Sequence, residues 1–160
     1  MTYSLKKTWP DVLSFADQIL EIEKSSFPVP WSTKAFEAEI NKSISNFWAI
    51  ISDQKLLAYI CFWMFDREIH ILNLAVHPKK RNLGLGKILL ENVVKTGTAG
   101  GVENIWLEVR ASNIPALSIY KKFDFVETGR RKGYYSDSRE DAIIMTLDLT
   151  GKAMDNATNC

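Results

Sequence analysis

Cysteine is scarce in this chain, and with it go the usual signs of a cross-linked or metal-built protein. Only Cys61 and Cys160 occur among the 160 residues, far apart in sequence. That is neither a disulfide framework nor a zinc-ligand spacing. The two histidines, His70 and His77, are seven residues apart in a strand-like stretch. An odd separation puts them on opposite faces of a strand, which argues against a shared metal. No metal is expected. An excess of one charge is also missing: 20 Lys and Arg face 19 Asp and Glu, a formal net charge of +1. That excludes a protein that coats nucleic acid. No stretch approaches the roughly 20 apolar residues of a membrane span. Met1 to Pro10 lacks the apolar run of a secretory signal. The expectation is a cytoplasmic protein with no nucleic-acid or membrane partner.

What is present is ordinary for a globular chain, 46% hydrophobic and 24% charged. The length suits one domain with a real core, set at 1–149, with a polar, fraying tail at 150–160. Thr2 to Lys7 reads as a short strand. Val12, Phe15, Ala16, Ile19 and Ile22 recur at helical spacing and predict a helix over Asp11 to Lys24. The two prolines of Ser26-Phe27-Pro28-Val29-Pro30-Trp31 break it. Ser32 is a good cap for a helix from Thr33 to Ile40. Asn46 to Ser52, Leu56 to Phe65 and Glu68 to Val76 read as antiparallel strands divided by Asp53-Gln54 and Asp66-Arg67. A helix from Gly84 to Lys95 stops at the flexible Gly97 to Gly101. A strand at Asn104 to Arg110, a helix at Asn113 to Lys122, and strands near Phe125 to Arg130 and Ala142 to Leu149 complete the pattern.

The most informative segment runs from Leu74 to Lys87. A strand ends, a basic stretch follows, and a helix opens on Gly84 and Gly86. Unpaired amides at a helix start, together with its dipole, form an anion site. Glycine lets a phosphate approach the backbone closely. Lys79, Lys80, Arg81 and Lys87 add positive charge. Arg81 stands where a Walker loop needs its first glycine, and Leu89 where a dinucleotide fingerprint needs its third. The plain alternative is a glycine-containing helix start with solvated lysines.

Arg81-Asn82-Leu83-Gly84-Leu85-Gly86 resembles motif A of the GNAT acetyltransferases. Trp106 to Asn113 and Ser138 to Met145 resemble one branch of that family, the ribosomal-protein-alanine N-acetyltransferases. Phe27 to Ser32 and Arg131 to Tyr135 match more loosely. The resemblance covers nearly the whole chain to Leu149. It implies an α/β (α+β) fold: a mixed, strongly twisted sheet of six or seven strands with helices on both faces. It implies acetyl-CoA as co-substrate, its pyrophosphate on Asn82, Leu83, Gly84, Leu85, Gly86 and Lys87. Its pantetheine arm would run along the backbone of Leu74, Ala75 and Val76, with Asn113 as a further contact. The partner implied is a protein N-terminus, that of a small-subunit ribosomal protein beginning with alanine. One departure stands out. Asp124 lies between Phe123 and Phe125 where the family has glycine, so a turn with positive φ would be strained there.

Acetyl transfer to an amine needs a base, an acid and a neutral nucleophile. Glu108 sits in the apolar strand Ile105 to Val109, where a carboxylate is costly without a partner or a task. Burial there would raise its pKa and suit it to act as a base. Alternatively it lies on a wet face or pairs with Arg110, since parity puts Trp106, Glu108 and Arg110 on one face. Tyr120 reads first as a core tyrosine, with Ile114 and Leu117 at three-residue spacing. The resemblance implies Glu108 as base and Tyr120 as acid. Asn113 also works as a helix cap near Pro115. Cys61, among apolar neighbours, reads as filler rather than nucleophile. Trp31, Tyr134 and Tyr135 are candidates for a peptide groove, the adjacent tyrosines alternating faces at a strand end. Alternatives are a GNAT enzyme for other N-termini or a small amine, and a non-catalytic CoA-binding module.

Overall fold

Turn residues set the strand boundaries in the middle of the chain. Asp53 and Gln54 both take positive φ, 49° and 59°, and Asp66 takes 55°. A left-handed pair such as Asp53-Gln54 matches the twist of a tight hairpin. These turns bound three strands that agree within one residue with the sequence expectation: β2 (Ser45–Ser52), β3 (Lys55–Phe65) and β4 (Glu68–Val76). In this computed structural model residues 2–7 and 9–151 are described. The remaining elements are β1 (Ser4–Lys6), α1 (Trp9–Leu13), α2 (Ala16–Ser26), α3 (Thr33–Ile40), α4 (Leu85–Ala99), β5 (Asn104–Arg110), α5 (Ile114–Lys122), β6 (Val126–Arg131) and β7 (Ala142–Asp148). A single turn of 3-10 helix lies at Pro78–Lys80. The strands form a seven-stranded mixed sheet in the order β1-β2-β3-β4-β5-β7-β6. No described helix is long and apolar enough to cross a membrane.

The described residues make two compact units. The first takes in the chain to Met64 with Leu72–Val93, the second Phe65–Ile71 with the chain from Val94. In the first unit β1 pairs antiparallel with β2, and β2 with β3. Burial along β2 and β3 is nearly continuous rather than alternating, which marks strands covered on both faces. Val12, Ile19, Ile22 and Phe36 pack against Phe47, Ala49, Tyr59 and Cys61. Phe47 stacks on Tyr59 at 5.0 Å and meets Phe36 edge-on. Cys61 is fully buried and burial pushes its thiol up to about 12, so it is filler.

In the second unit β5 is the central strand. It pairs parallel with β4 over Glu68 to Ile71 and antiparallel with β7 over its full length. β6 pairs antiparallel with β7. Gly97 lies inside α4 rather than at its end. A methyl group there would meet Ile69 Cδ1 at 3.2 Å and Leu149 Cδ1 at 3.4 Å. Close packing carries the helix past Gly97, but it ends at Ala99, inside the expected stop, and the chain turns at Gly101, with φ of 77°.

Two further expectations need correction. The predicted helix over Asp11 to Lys24 is broken at Ser14-Phe15. The Ser14 hydroxyl donates to the Asp11 carbonyl at 3.2 Å and the Phe15 amide to Val12 at 2.9 Å, a tight turn competing with the helix. Ile114 does not share the buried side of α5 with Leu117 and Tyr120, for it is 65% exposed. Of the predicted tail at 150–160, residues 152–160, Cys160 among them, lie outside the described residues.

Asp124 has φ of 69°, the left-handed conformation expected from the family pattern. That conformation costs an L-residue about 1–2 kcal/mol, against about 0.5–1 kcal/mol of extra chain entropy for glycine. Asp124→Gly should therefore raise stability, by about 0.5 kcal/mol net. The check is a higher denaturant midpoint at unchanged slope.

Candidate active site

The glycine turn of the first unit has a backbone shape that would suit an anion. Strand β4 ends at Val76, and His77 caps the 3-10 turn by accepting from the Lys79 amide at 3.1 Å. Asn82 and Gly84 then take φ of 63° and 77°. Turns that enter the left-handed region can present successive amides to an anion. Residues 81–84 are exposed. The first turn of α4 leaves the amides of Leu85, Gly86 and Lys87 without intrahelical acceptors. A Cβ on Gly84 would meet nothing within 4 Å, and one on Gly86 only Val76 at 3.7 Å. Arg81 is not part of a diffuse positive cloud. Its guanidinium donates to the Val76 carbonyl at 3.3 Å and to the Ser26 hydroxyl at 3.2 Å, which ties the turn to the end of α2.

Glu108 occupies the middle of β5, on the face it shares with Trp106 and Arg110. Its side chain is only 13% exposed. The carboxylate does have partners, as an apolar strand requires of it, but Arg110 is not among them. His70 Nε2 and Arg131 Nε each lie 3.7 Å from its carboxylate. His70 is directly opposite Trp106 in the parallel register, and the two rings stack at 3.6 Å with 6° between planes. Burial lowers the pKa of His70 against the pull of Glu108, so the ring is neutral at pH 7. Tyr134 is held the other way: hydrogen bonding to Glu108, with some burial, raises its pKa and keeps the phenol protonated.

A β-bulge decides which arginine reaches Glu108. The β6–β7 register slips by one between Glu127 and Gly129. Without that extra residue Arg130 would stand opposite Ala142; with it, Arg131 does. Ala142 is also the partner of Arg110 on β5, so Arg131 and Arg110 project from the Glu108 face while Arg130 pairs with Glu127 at 2.6 Å. Gly129 lies in the row of Glu108 and Ile144, its missing side chain leaving Ile144 Cδ1 3.5 Å from where a Cβ would be.

Tyr134 and Tyr135 are not at a strand end. They follow the turn after β6, in the loop that leads to β7. Arg110 organises this loop. Its guanidinium contacts Asp137 at 3.0 Å, Ser138 at 3.2 Å and Glu140 at 3.7 Å, and lies 4.0 Å over the Tyr135 ring. Glu140 accepts from the Ser112 amide at 2.5 Å. Asp141 accepts from the Gly133 amide at 3.0 Å. The two tyrosine rings meet edge-on at 5.2 Å. Tyr135 is pushed up to about 12, mainly by burial.

Tyr120 is 6% exposed on α5 and packs against Phe125 at 5.6 Å. Burial raises its pKa strongly, so it holds its proton at neutral pH. Asn113 caps the same helix, its side chain accepting from the Ala116 amide at 3.3 Å. Trp31, in the first unit, is half-buried against the apolar core, and its backbone amide donates to Glu23 at 3.1 Å. Sequence reading brought Glu108 and Tyr134 into view separately. It missed Arg131, because a bulge leaves no mark in the hydrophobic pattern. It weighed His70 only as a metal ligand, although the in-register Trp106 was a stacking partner.

A model of the acetyltransferase (GNAT) family matches residues 16–125. The ribosomal protein bS18-alanine N-acetyltransferase of Escherichia coli strain K12 is 37% identical over 131 residues, 81% of this chain and 88% of that protein. An N-alpha-acetyltransferase of Sulfolobus acidocaldarius is 33% identical over 150 residues, 86% of this chain and 89% of that one. The crystal structure of the ribosomal-protein-S18-alanine N-acetyltransferase from Escherichia coli is similar with a TM-score of 0.83 at 32% identity, covering 92% of this chain and 94% of the other.

The Arg110 cluster has a pH signature. Hydrogen bonding to Arg110 lowers the pKa of Asp137, and hydrogen bonding to Ser112 lowers that of Glu140. Carboxyls depressed in the folded state add stability above the ordinary carboxylate range of about 4, and lose it as pH falls through their folded values. Arg110→Met should be less stable at pH 7 and should lose less on acidification. Denaturation midpoints of both proteins from pH 7 to pH 3 check this.

Proposed function

The chain belongs to the GNAT acetyltransferase family, and we propose that it acetylates the N-terminal α-amine of a protein, the alanine terminus of a small-subunit ribosomal protein. Acetyl-CoA is the acetyl donor. The observation that carries the chemistry is Glu108, a little-exposed carboxylate whose neighbours are a neutral histidine, an arginine and a protonated tyrosine. What supports the substrate is the 37% identity to an enzyme named for alanine N-acetylation of bS18. The family match runs across both compact units, in keeping with one acetyltransferase domain over 1–149. A cytoplasmic location follows from a ribosomal substrate.

The glycine turn fits the pyrophosphate of acetyl-CoA. Gly84 is open to close approach, and Asn82 to Lys87 offer amides to anionic oxygens. The backbone of Leu74, Ala75 and Val76 would hold the pantetheine arm, and Asn113 would add a contact. Glu108 takes a proton from the incoming ammonium. The neutral amine attacks the thioester carbonyl, the carbon–sulfur bond breaks, and Tyr120 supplies the proton to the departing thiolate; the second proton shed by the attacking nitrogen as the amide forms restores the Tyr120 phenol. Cys61, buried and protonated, takes no part. Trp31, Tyr134 and Tyr135 are the proposed walls for the peptide terminus.

An α-amine ordinarily titrates at about 7.7–8.0 and a lysine side chain at about 10.4, so at neutral pH the α-amine is uncharged several hundred-fold more often. A single glutamate base suits that easier task. The test compares kcat/KM for three substrates: a peptide beginning with alanine, the same peptide with a blocked terminus and an internal lysine, and a free polyamine. The alanyl peptide should be preferred. Equal or higher values for either of the others would defeat the N-terminal reading. Glu108→Gln should lower kcat about 10²–10⁴-fold, the range for a general base. Acetyl-CoA affinity should hold. Gly84→Asp puts a carboxylate where the pyrophosphate approaches and strains a left-handed position, so calorimetry should find no acetyl-CoA binding.

A further inference from the structure

Glu23, which the reaction does not use, is the most thoroughly engaged carboxylate in the first unit. It is 1% exposed. One oxygen accepts from the Tyr59 hydroxyl and from the Asn73 side-chain amide, each at 2.5 Å. The other accepts from the backbone amide of Trp31 at 3.1 Å. The backbone carbonyl of Glu23 also accepts from the Phe27 amide at 3.0 Å. One residue thus bonds both ends of the Phe27–Trp31 segment, while the other oxygen of its carboxylate is shared by Tyr59 of β3 and Asn73 of β4. Phe27 and Trp31 pack inward, while Val29 at the tip is 61% exposed between two prolines. Proline fixes φ on both sides of that tip.

A buried carboxylate is a poor way to gain stability, since apolar residues of similar volume often serve as well or better. What it supplies here is a fixed loop geometry. We infer that Glu23 is a positioning residue for the protein substrate, holding the Phe27–Trp31 segment by its two ends so that Val29 and Trp31 meet the peptide terminus in one conformation. This rests on the reading of that segment as a wall of the peptide site.

Glu23→Gln separates position from bulk stability. Glutamine has one acceptor oxygen and one donor nitrogen. With its oxygen toward Tyr59 and Asn73 it keeps two bonds and sets donor against donor at Trp31. The reverse orientation loses two bonds, so the Trp31 tether is the one given up. Tyr59→Phe is the control: it removes a bond to the same carboxylate and leaves the tether. For Glu23→Gln, hydrogen exchange at the Trp31 amide should accelerate. The KM for an alanyl peptide should rise on the order of tenfold, as for one charge-assisted hydrogen bond lost. The KM for acetyl-CoA should stay within about twofold. Tyr59→Phe should lower the melting temperature comparably and leave the peptide KM alone. Unchanged exchange or peptide KM in Glu23→Gln, or an equal rise in Tyr59→Phe, would overturn the inference. A wild-type protein inactive on the alanyl peptide would instead remove the parent reading, and this one with it.

Discussion

Strand β5 is hydrogen-bonded on both sides, and the alternation this enforces decides what its neighbours can do. Ile105, Leu107 and Val109 face inward and are nearly inaccessible. Trp106, Glu108 and Arg110 are thereby committed to the opposite face, because side chains on a paired strand alternate. A one-residue slip against β7 would bury a carboxylate and an arginine and expose three aliphatic residues. The apolar face thus holds the functional face in register. Each polar member of the row has a separate duty. Trp106 is the platform for His70, Glu108 is the proposed base, and Arg110 holds the loop bearing Tyr134 and Tyr135.

The glycine turn follows a different logic, in which backbone does the work. Its left-handed residues aim amides rather than side chains, and Arg81 bonds inward to Val76 and Ser26. The positive end of α4 remains for an anion. This explains why the segment could be read without coordinates. Two glycines after a strand and before an amphipathic helix specify a backbone shape, and on the proposed reading the backbone is the binding surface.

Legibility in the sequence tracked how local the determinant was. Strand boundaries at Asp53-Gln54 and Asp66-Arg67, the Ser32 cap and the Asn113 cap depend on residues a few positions apart, and all were readable. Asp124 at positive φ was legible because a glycine was missing from a short pattern. The break at Ser14-Phe15 was hidden, since apolar spacing continues across it. The stop over Gly97 to Gly101 was legible, for α4 ends at Ala99, but Gly97 itself lies inside the helix, where the close approach of Ile69 and Leu149 sets its identity. Arg131 was out of reach, because its approach to Glu108 requires both the β5–β7 register and a bulge in β6.

Two little-exposed glutamates show how environment divides one side chain into two roles. Glu23 accepts from Tyr59, Asn73 and Trp31 at hydrogen-bond distance, and its lone pairs are directed at fixed donors. Three of its roughly four acceptor positions are taken by fixed donors, in keeping with the anchoring role inferred for it. Glu108 has its cationic and imidazole neighbours at 3.7 Å, beyond a normal hydrogen bond. Arg131 compensates the charge from that distance without saturating the oxygens, and neutral His70 competes little for the proton. The hydrogen bond from Tyr134 still leaves acceptor positions open, which suits Glu108 to the proposed role of base. A base needs charge compensation without full coordination, and of these two glutamates the one on β5 has it.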